Sequence, residues 1–209
     1  MAAENIVVFD LETNGRGWSS PYHCDRPEDE EILEIGAESV TTGEVFHQYL
    51  LPNNQPTKKA SSKNGFRKNG KNLMRHGEIM PAVARGTGLA NFMEFLNSLP
   101  GPVNLAGYNS HKFDNQVLHQ NLKLEGLKLS RDGNVVKCTD VMKITKTFLA
   151  GQGHRKYNLG FAVQTILKRG QAESHTAQSD VRDTVDLLRH IGLREDSKNT
   201  IGIEIVEAN

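Results

Sequence analysis

The chain has 209 residues, which suits one α/β domain with a full hydrophobic core or at most two small domains. Its 25 basic and 25 acidic residues balance, so net charge favours no partner, and its two cysteines exclude a disulfide framework and a cysteine-pair zinc site. No window approaches the ~20 apolar residues of a membrane helix, and the N-terminus lacks the basic region of a signal peptide. We therefore expect one domain over residues 1–209, intracellular (cytoplasmic or nuclear), with no membrane partner.

Three strands are predicted near the N-terminus. The apolar residues 6–9 predict a buried strand, and the polar, Gly- and Pro-containing residues 14–31 predict a loop. Residues 32–40 and 44–51 flank the turn sequence Thr42-Gly43, which predicts an antiparallel hairpin.

A basic stretch follows at residues 58–75, with seven Lys or Arg residues and no acid. Such a stretch is suited to contacts with phosphates. Its Gly, Asn and Ser content is equally typical of a solvated surface loop, which is the simpler interpretation.

Helices and strands then alternate to the end of the chain. Apolar spacing predicts helices at residues 89–96, 115–124, 141–149, 159–167 and 180–191, and strands at residues 103–108, 135–139 and 200–206. This order predicts a mixed α/β sheet with helices on its faces.

Two acids end the first predicted strand, in the sequence IVVFDLETNG. Side chains alternate between the faces of a strand, so Asp10 and Glu12 project from the same face. Two neighbouring carboxylates repel each other unless a cation or a proton lies between them.

Two further acids lie where predicted helices begin. Asp114 follows a strand and a short loop, and Asp180 opens the last amphipathic helix, five residues after His175. Taken singly, each acid fits a helix N-cap, and His175 fits a loop residue. Taken together with Asp10 and Glu12, the four acids can converge on one sheet edge, where only cations would make them stable. Oxygen-only ligands suit Mg²⁺ or Mn²⁺.

Three segments resemble the motifs of the DnaQ-like 3′–5′ exonucleases of the DEDDh class: FDLET, YNSHKFD and HTAQSD. The segments ASSKNG, YNLG and SHTA, with the later DV, are similar to the three-prime repair exonuclease (TREX-type) branch. The chain departs from the family pattern at Asn14, Tyr108 and Ser110. The resemblance implies an RNase H-like (DnaQ-like) fold with a mixed five-stranded sheet flanked by helices.

The resemblance also implies a reaction. Asp10, Glu12, Asp114 and Asp180 would hold two Mg²⁺ ions, for which Mn²⁺ would substitute, and His175 would be the general base. The expected activity is release of 5′-mononucleotides from the 3′ ends of single-stranded or duplex DNA. Substrate contacts are expected at Leu11, Thr13, Tyr108, Asn109, Lys112 and Tyr157. Core packing at Leu11 and Tyr157, and simple surface exposure at Lys112, are the plain alternatives.

Two other functions stay open at this point. RNA-trimming members of the same family use the same five residues, so RNA is the alternative substrate. A catalytically silent nucleic-acid-binding module is the alternative from another class, supported by the basic stretch and the motif departures. Homodimerisation through a sheet edge is implied only by the TREX-type branch.

Overall fold

The structure is a computed structural model and describes residues 4–20, 23–24, 26–131, 134–170 and 175–191. The predicted strand at residues 200–206 lies outside the described residues. The strands are β1 (Asn5–Thr13), β2 (Trp18–Ser20), β3 (His23–Cys24), β4 (Ile32–Ser39), β5 (Val45–Leu51), β6 (Phe66–Asn69), β7 (Asn72–Arg75), β8 (Glu78–Ile79), β9 (Val83–Ala84), β10 (Val103–Gly107), β11 (Ser130–Arg131), β12 (Asn134–Val135) and β13 (Lys137–Asp140). The α-helices are α1 (Lys58–Asn64), α2 (Arg85–Ser98), α3 (Asp114–Leu124), α4 (Val141–Gly151), α5 (Leu159–Ala162) and α6 (Ala177–Ile191).

A mixed six-stranded sheet with the order β13-β10-β1-β4-β5-β9 forms the centre. β1 pairs parallel with β10 and antiparallel with β4, and β10 pairs parallel with β13. β5 pairs antiparallel with β4 and parallel with the two-residue β9. The predicted mixed α/β sheet is confirmed: its five strands are present, and β9 adds a short sixth strand at one end.

The two faces of β1 bury different side chains. Val7, Phe9 and Leu11 lie in the core formed with α2 and α3, whereas Val8 packs against α6 through Val181 and others. Because side chains alternate along a strand, Asp10 and Glu12 share the face of Val8, which is the face beneath α6.

The interpretation of residues 58–75 as a solvated loop is wrong. These residues, which we call the basic segment, form α1 and the β6–β7 hairpin. Thr57 caps α1 by accepting a hydrogen bond from the Ala60 N–H, and the left-handed Gly65 (φ 76°) ends the helix. Phe66 and Leu73 are fully buried and form a small core with Leu33. Burial of these two apolar side chains therefore stabilises the fold of a segment that is otherwise almost entirely polar.

Other boundaries differ by a few residues. The helix predicted at residues 159–167 is the short α5 followed by a π-helical turn at Val163–Leu167. The strand predicted at residues 135–139 lies at Lys137–Asp140. Within the described ranges, every helix is too short or too polar to cross a lipid bilayer.

Candidate active site

Three of the predicted site acids meet at the end of β1. One carboxylate oxygen from each of Asp10, Glu12 and Asp180 lies within 4.8 Å of the others. Asp10 and Glu12 come from the second half of β1, and Asp180 comes from the first turn of α6. Asp10 and Glu12 therefore lie on the same face of β1, as the alternation of side chains along a strand predicts.

A glycine lets α6 approach the sheet closely enough to deliver Asp180. Gly36 of β4 pairs directly with Asp10, and a Cβ on Gly36 would lie 2.7 Å from the main-chain carbon of Ala177. Thr176 caps the helix, because its hydroxyl oxygen accepts a 3.0 Å hydrogen bond from the Ser179 N–H. With the helix capped in this way, the Asp180 carboxylate lies beside those of Asp10 and Glu12.

Asp114, the fourth acid, is buried beside Asp10. It is the first residue of α3, and no side chain caps that helix. Burial raises the pKa of Asp114 to about 7, and main-chain hydrogen bonds at Asp114 and Leu11 oppose the shift. Asp114 is also the charge that raises the pKa of Asp10 most after burial. The two acids therefore share one electrostatic environment, although Asp114 lies outside the trio described above.

The acids are held in an arrangement that disfavours their charged forms. Burial raises the pKa of Asp10 well above its usual range, and the charges of Asp114, Asp180 and Glu12 raise it further. Burial likewise raises the pKa of Glu12 to about 8, although a hydrogen bond from Asn64 opposes this. Divalent cations would neutralise the cluster, and carboxylate oxygens are the ligands that Mg²⁺ and Mn²⁺ prefer. The donor set therefore fits the predicted metal ions.

The raised pKa values predict a pH-dependent response to metal. In the metal-free protein, Glu12 and Asp114 keep their protons in the folded state up to pH about 8 and about 7 but lose them near pH ~4 when unfolded. Their contribution to stability is therefore fully present below pH ~4, decreases as pH rises above that value, and is lost once pH exceeds about 8 for Glu12 and about 7 for Asp114. Mg²⁺ near 100 times its dissociation constant should raise Tm by about 5–10 °C at pH 8, and by less at pH 5.5, where protons compete.

Thermal unfolding followed by circular dichroism, in EDTA and with added MgCl₂, measures this difference. KCl at matched ionic strength is the control. An equal increment at both pH values, or none at either, would contradict the assignment of these acids to a cation site.

A cleft of about 210 Å³ opens beside the acids. Its wall includes Glu12 and His175 together with three residues of α1: Lys59, Lys63 and Asn64. His175 has a left-handed main chain (φ 70°), and its carbonyl accepts a 3.2 Å hydrogen bond from Arg75. Burial and the charge of Lys63 lower the pKa of His175. The imidazole is therefore neutral at physiological pH and lies in the same cleft as a candidate metal ligand.

Two of the predicted substrate contacts line this cleft. Leu11 is 5% exposed, and its side chain belongs mainly to the core. The Thr13 hydroxyl donates a hydrogen bond to buried Glu30, which also accepts hydrogen bonds from the main-chain N–H groups of Gly15 and Gly17. Glu30 thus fixes the loop that follows β1.

The other predicted substrate contacts are outside the cleft wall. The Tyr108 hydroxyl donates a 2.6 Å hydrogen bond to the carbonyl of Tyr157, and the Tyr157 hydroxyl donates to the carbonyl of His154. The Asn109 N–H donates to Asp140, whereas Lys112 is exposed. Contacts of these four residues with a substrate stay predictions.

Sequence reasoning did not single out three residues that surround the acids. Glu34, fully buried on β4, pairs across the sheet with Glu12 and bonds His47 at 2.8 Å. Asn64 and Arg75 come from the basic segment. A charged residue inside the apolar run of β4 was a usable signal for Glu34, and the ASSKNG resemblance contained Asn64. Arg75 has no local signal, because its partners are distant in sequence.

No protein-family model matches the sequence, and a search of curated proteins returns no match. Solved structures do match. The zinc-ion-bound form of the E. coli exonuclease I complex with single-stranded DNA has a TM-score of 0.71 at 15% identity, over 92% of this chain and 41% of that chain. E. coli exonuclease I with a 5cy-dT13 oligonucleotide has a TM-score of 0.69 at 15% identity, over 93% and 42%. Its complex with a dA16 oligonucleotide has a TM-score of 0.66 at 16% identity, over 88% and 40%.

The chain spans about two fifths of the length of those exonuclease I chains. At such low identity the likeness is one of fold. The predicted fold class is therefore confirmed: the chain has the RNase H-like mixed α/β fold that exonuclease I has.

Proposed function

We propose that the protein is a metal-dependent 3′–5′ exonuclease of the DEDDh type that releases 5′-mononucleotides from DNA 3′ ends. The observation that carries the proposal is the meeting of Asp10, Glu12 and Asp180 within 4.8 Å, beside Asp114 and a cleft that contains His175. The fold shared with exonuclease I supports it. The motif resemblance supports the finer assignment to the TREX-type branch.

The four acids would hold two Mg²⁺ ions, with Mn²⁺ as a substitute. In this assignment Asp10, Glu12 and Asp180 would hold one ion, and Asp10 and Asp114 would hold the other. When bound, the ions would stabilise the negative charge that develops on the phosphate during displacement. The cluster itself then needs no protons, because the cations replace them.

His175 acts as the general base in this proposal. Its lowered pKa keeps the imidazole neutral, so that a ring nitrogen accepts the proton of the attacking water. The basic side chains that line the cleft have a different role. Lys59 and Lys63 lie one helical turn apart on α1 and line the cleft, where their ammonium groups would attract the phosphates of the bound strand.

DNA is the preferred substrate in this proposal, and RNA is the alternative. The structures of exonuclease I with dA16 and 5cy-dT13 oligonucleotides support DNA. An RNA-specific site would instead contact the 2′-OH group of the substrate.

A digestion assay tests the proposal. The 5′-labelled single-stranded DNA, duplex DNA and RNA of one sequence are incubated with Mg²⁺, Mn²⁺ or EDTA. We expect DNA ladders that shorten from the 3′ end only with metal, and 5′-mononucleotides as products. Faster shortening of RNA would favour the exoribonuclease. Salt-sensitive binding without shortening in Mg²⁺ would contradict the enzyme and favour the silent binding module.

A further inference from the structure

The basic segment contacts the candidate site at two places, the Glu12 carboxylate and the main chain of His175. Neither contact was expected from the sequence. Its α1 and β6–β7 hairpin lie between β5 and β9 in the chain, far from the motif residues. Two of its side chains, Asn64 and Arg75, are hydrogen-bonded to residues of the site. The inference below rests on the proposed function, because it concerns how that site is held.

Asn64 fixes one carboxylate of the acid cluster. The residue is 2% exposed, and its amide nitrogen donates 3.1 Å hydrogen bonds to Glu12 Oε2 and to the carbonyl of Thr13. Its amide oxygen accepts a 3.1 Å hydrogen bond from the Phe66 N–H. All the hydrogen-bonding groups of this side chain therefore serve to hold Glu12 and the end of β1 against the hairpin.

Arg75 joins the two sides of the cleft. Its Nε donates a 3.1 Å hydrogen bond to the main-chain carbonyl of Asn64, and its Nη2 donates a 3.2 Å hydrogen bond to the carbonyl of His175. The guanidinium carbon lies 5.4 Å from the centre of the Phe66 ring. The main chain of His175 is left-handed, which costs energy. The guanidinium group of Arg75 thus holds His175 at a fixed distance from Asn64, which in turn holds Glu12.

We propose that Asn64 and Arg75 are positioning residues: Asn64 orients the Glu12 carboxylate for metal binding, and Arg75 sets the place of His175 relative to it. Neither residue takes part in the reaction itself. The planar guanidinium group of Arg75 can make both contacts because its two diverging donors reach two separate carbonyls. A lysine ammonium at position 75 has the charge of arginine but cannot make both contacts.

The substitution Arg75→Lys separates positioning from phosphate attraction. If Arg75 positions His175, Arg75→Lys should lower kcat about 10- to 100-fold with KM changed by no more than about 2-fold. The matched control is Arg67→Lys, the same change on an exposed residue of β6. Retention of wild-type kcat, or a loss confined to KM, would overturn the role of Arg75.

The substitution Asn64→Ala is tested without substrate. Calorimetric titration with MnCl₂ should show metal affinity reduced about 10- to 100-fold relative to the wild type. The control is Asn69→Ala, the same change on an exposed residue of β6, also within the basic segment. Circular dichroism and Tm confirm that each variant is folded, and the smaller change Asn64→Ser, which also removes the amide donor to Glu12, supplies the titration if Asn64→Ala does not fold. Unchanged Mn²⁺ affinity would overturn the role of Asn64.

The proposed function and the positioning roles of Asn64 and Arg75 can be contradicted separately. If the wild-type protein shortens no oligonucleotide in Mg²⁺, the proposed function is wrong, whereas the Mn²⁺ titration still decides whether Asn64 orients Glu12. If the wild-type protein is active and both variants behave like it, the function stands and the positioning roles are wrong.

Discussion

Replacing Asp10 with asparagine should abolish nuclease activity and at the same time make the metal-free protein more stable. Asp10 is the acid whose charge is opposed by Asp114, Asp180, Glu12 and Glu34 as well as by burial. A neutral amide of the same shape removes that repulsion, so the folded state no longer bears the cost of ionisation at pH 8. The same change removes the negative charge, and one of the two oxygens, of the ligand assigned to both ions. We expect at least a ~1,000-fold loss in the rate of mononucleotide release and a Tm in EDTA that is higher by a few degrees.

The matched control is Asp183→Asn, which changes an acid one turn beyond Asp180 on α6. Asp183 is fully buried and pairs with Arg169 at 2.6 Å, so its charge is compensated. Removing that charge leaves Arg169 without this partner, and Tm should fall, while Mg²⁺-dependent activity is retained below the melting transition. Scanning calorimetry in EDTA at pH 8 and the oligonucleotide assay measure both variants. A lower Tm for Asp10→Asn, or persistent activity, would contradict the assignment.

Replacing His175 with alanine should slow the reaction about 100- to 10,000-fold, the usual contribution of general acid–base catalysis. Mn²⁺ binding should be unchanged, because the metal ligands are the acids. The dependence of kcat/KM on pH tests whether His175 is the base. The pKa of His175 is lowered below 6.5, so wild-type kcat/KM at saturating Mg²⁺ should rise as pH increases through that pKa and level off above it.

The variant should lack this rising limb of the profile. His119→Ala, on an exposed residue of α3 outside the cleft wall, is the control and should keep both the rate and the profile. If His175→Ala retains the wild-type pH dependence, another group is the base.

The parts of the site that the sequence predicted well depend on local periodicity. Asp10 and Glu12 share a face because any strand alternates, and α6 follows from the spacing of Val181, Val185 and Leu188. Their convergence with Asp180 also needed the close approach of α6 at Gly36, a contact between residues far apart in sequence. The positions of the acids at the ends of predicted elements indicated that they can converge on one sheet edge, and the family resemblance supported grouping them in one site.

What the sequence did not predict depends on distant contacts. In the basic segment, composition favours a loop, yet burial of Phe66 and Leu73 against Leu33 outweighs it. Glu34 could be noticed as an acid within the apolar run of β4, but only the strand pairing places it opposite Glu12. Arg75 could not be found at all, since its partner His175 lies 100 residues away.

The pairing of β5 with β9 has a consequence for how this protein can vary. Leu50 and Leu51 pair with Val83 and Ala84, so the chain leaves the sheet and rejoins it at adjoining points. Insertions or deletions in the intervening residues 52–82 need not shift the register of β1 or β4. Gly70, at the tip of the β6–β7 hairpin, has open space around it and can accept such changes. Exchange of residues 52–82 therefore offers a way to change turnover while the acid-bearing strands keep their register, provided that the buried Phe66 and Leu73 are retained.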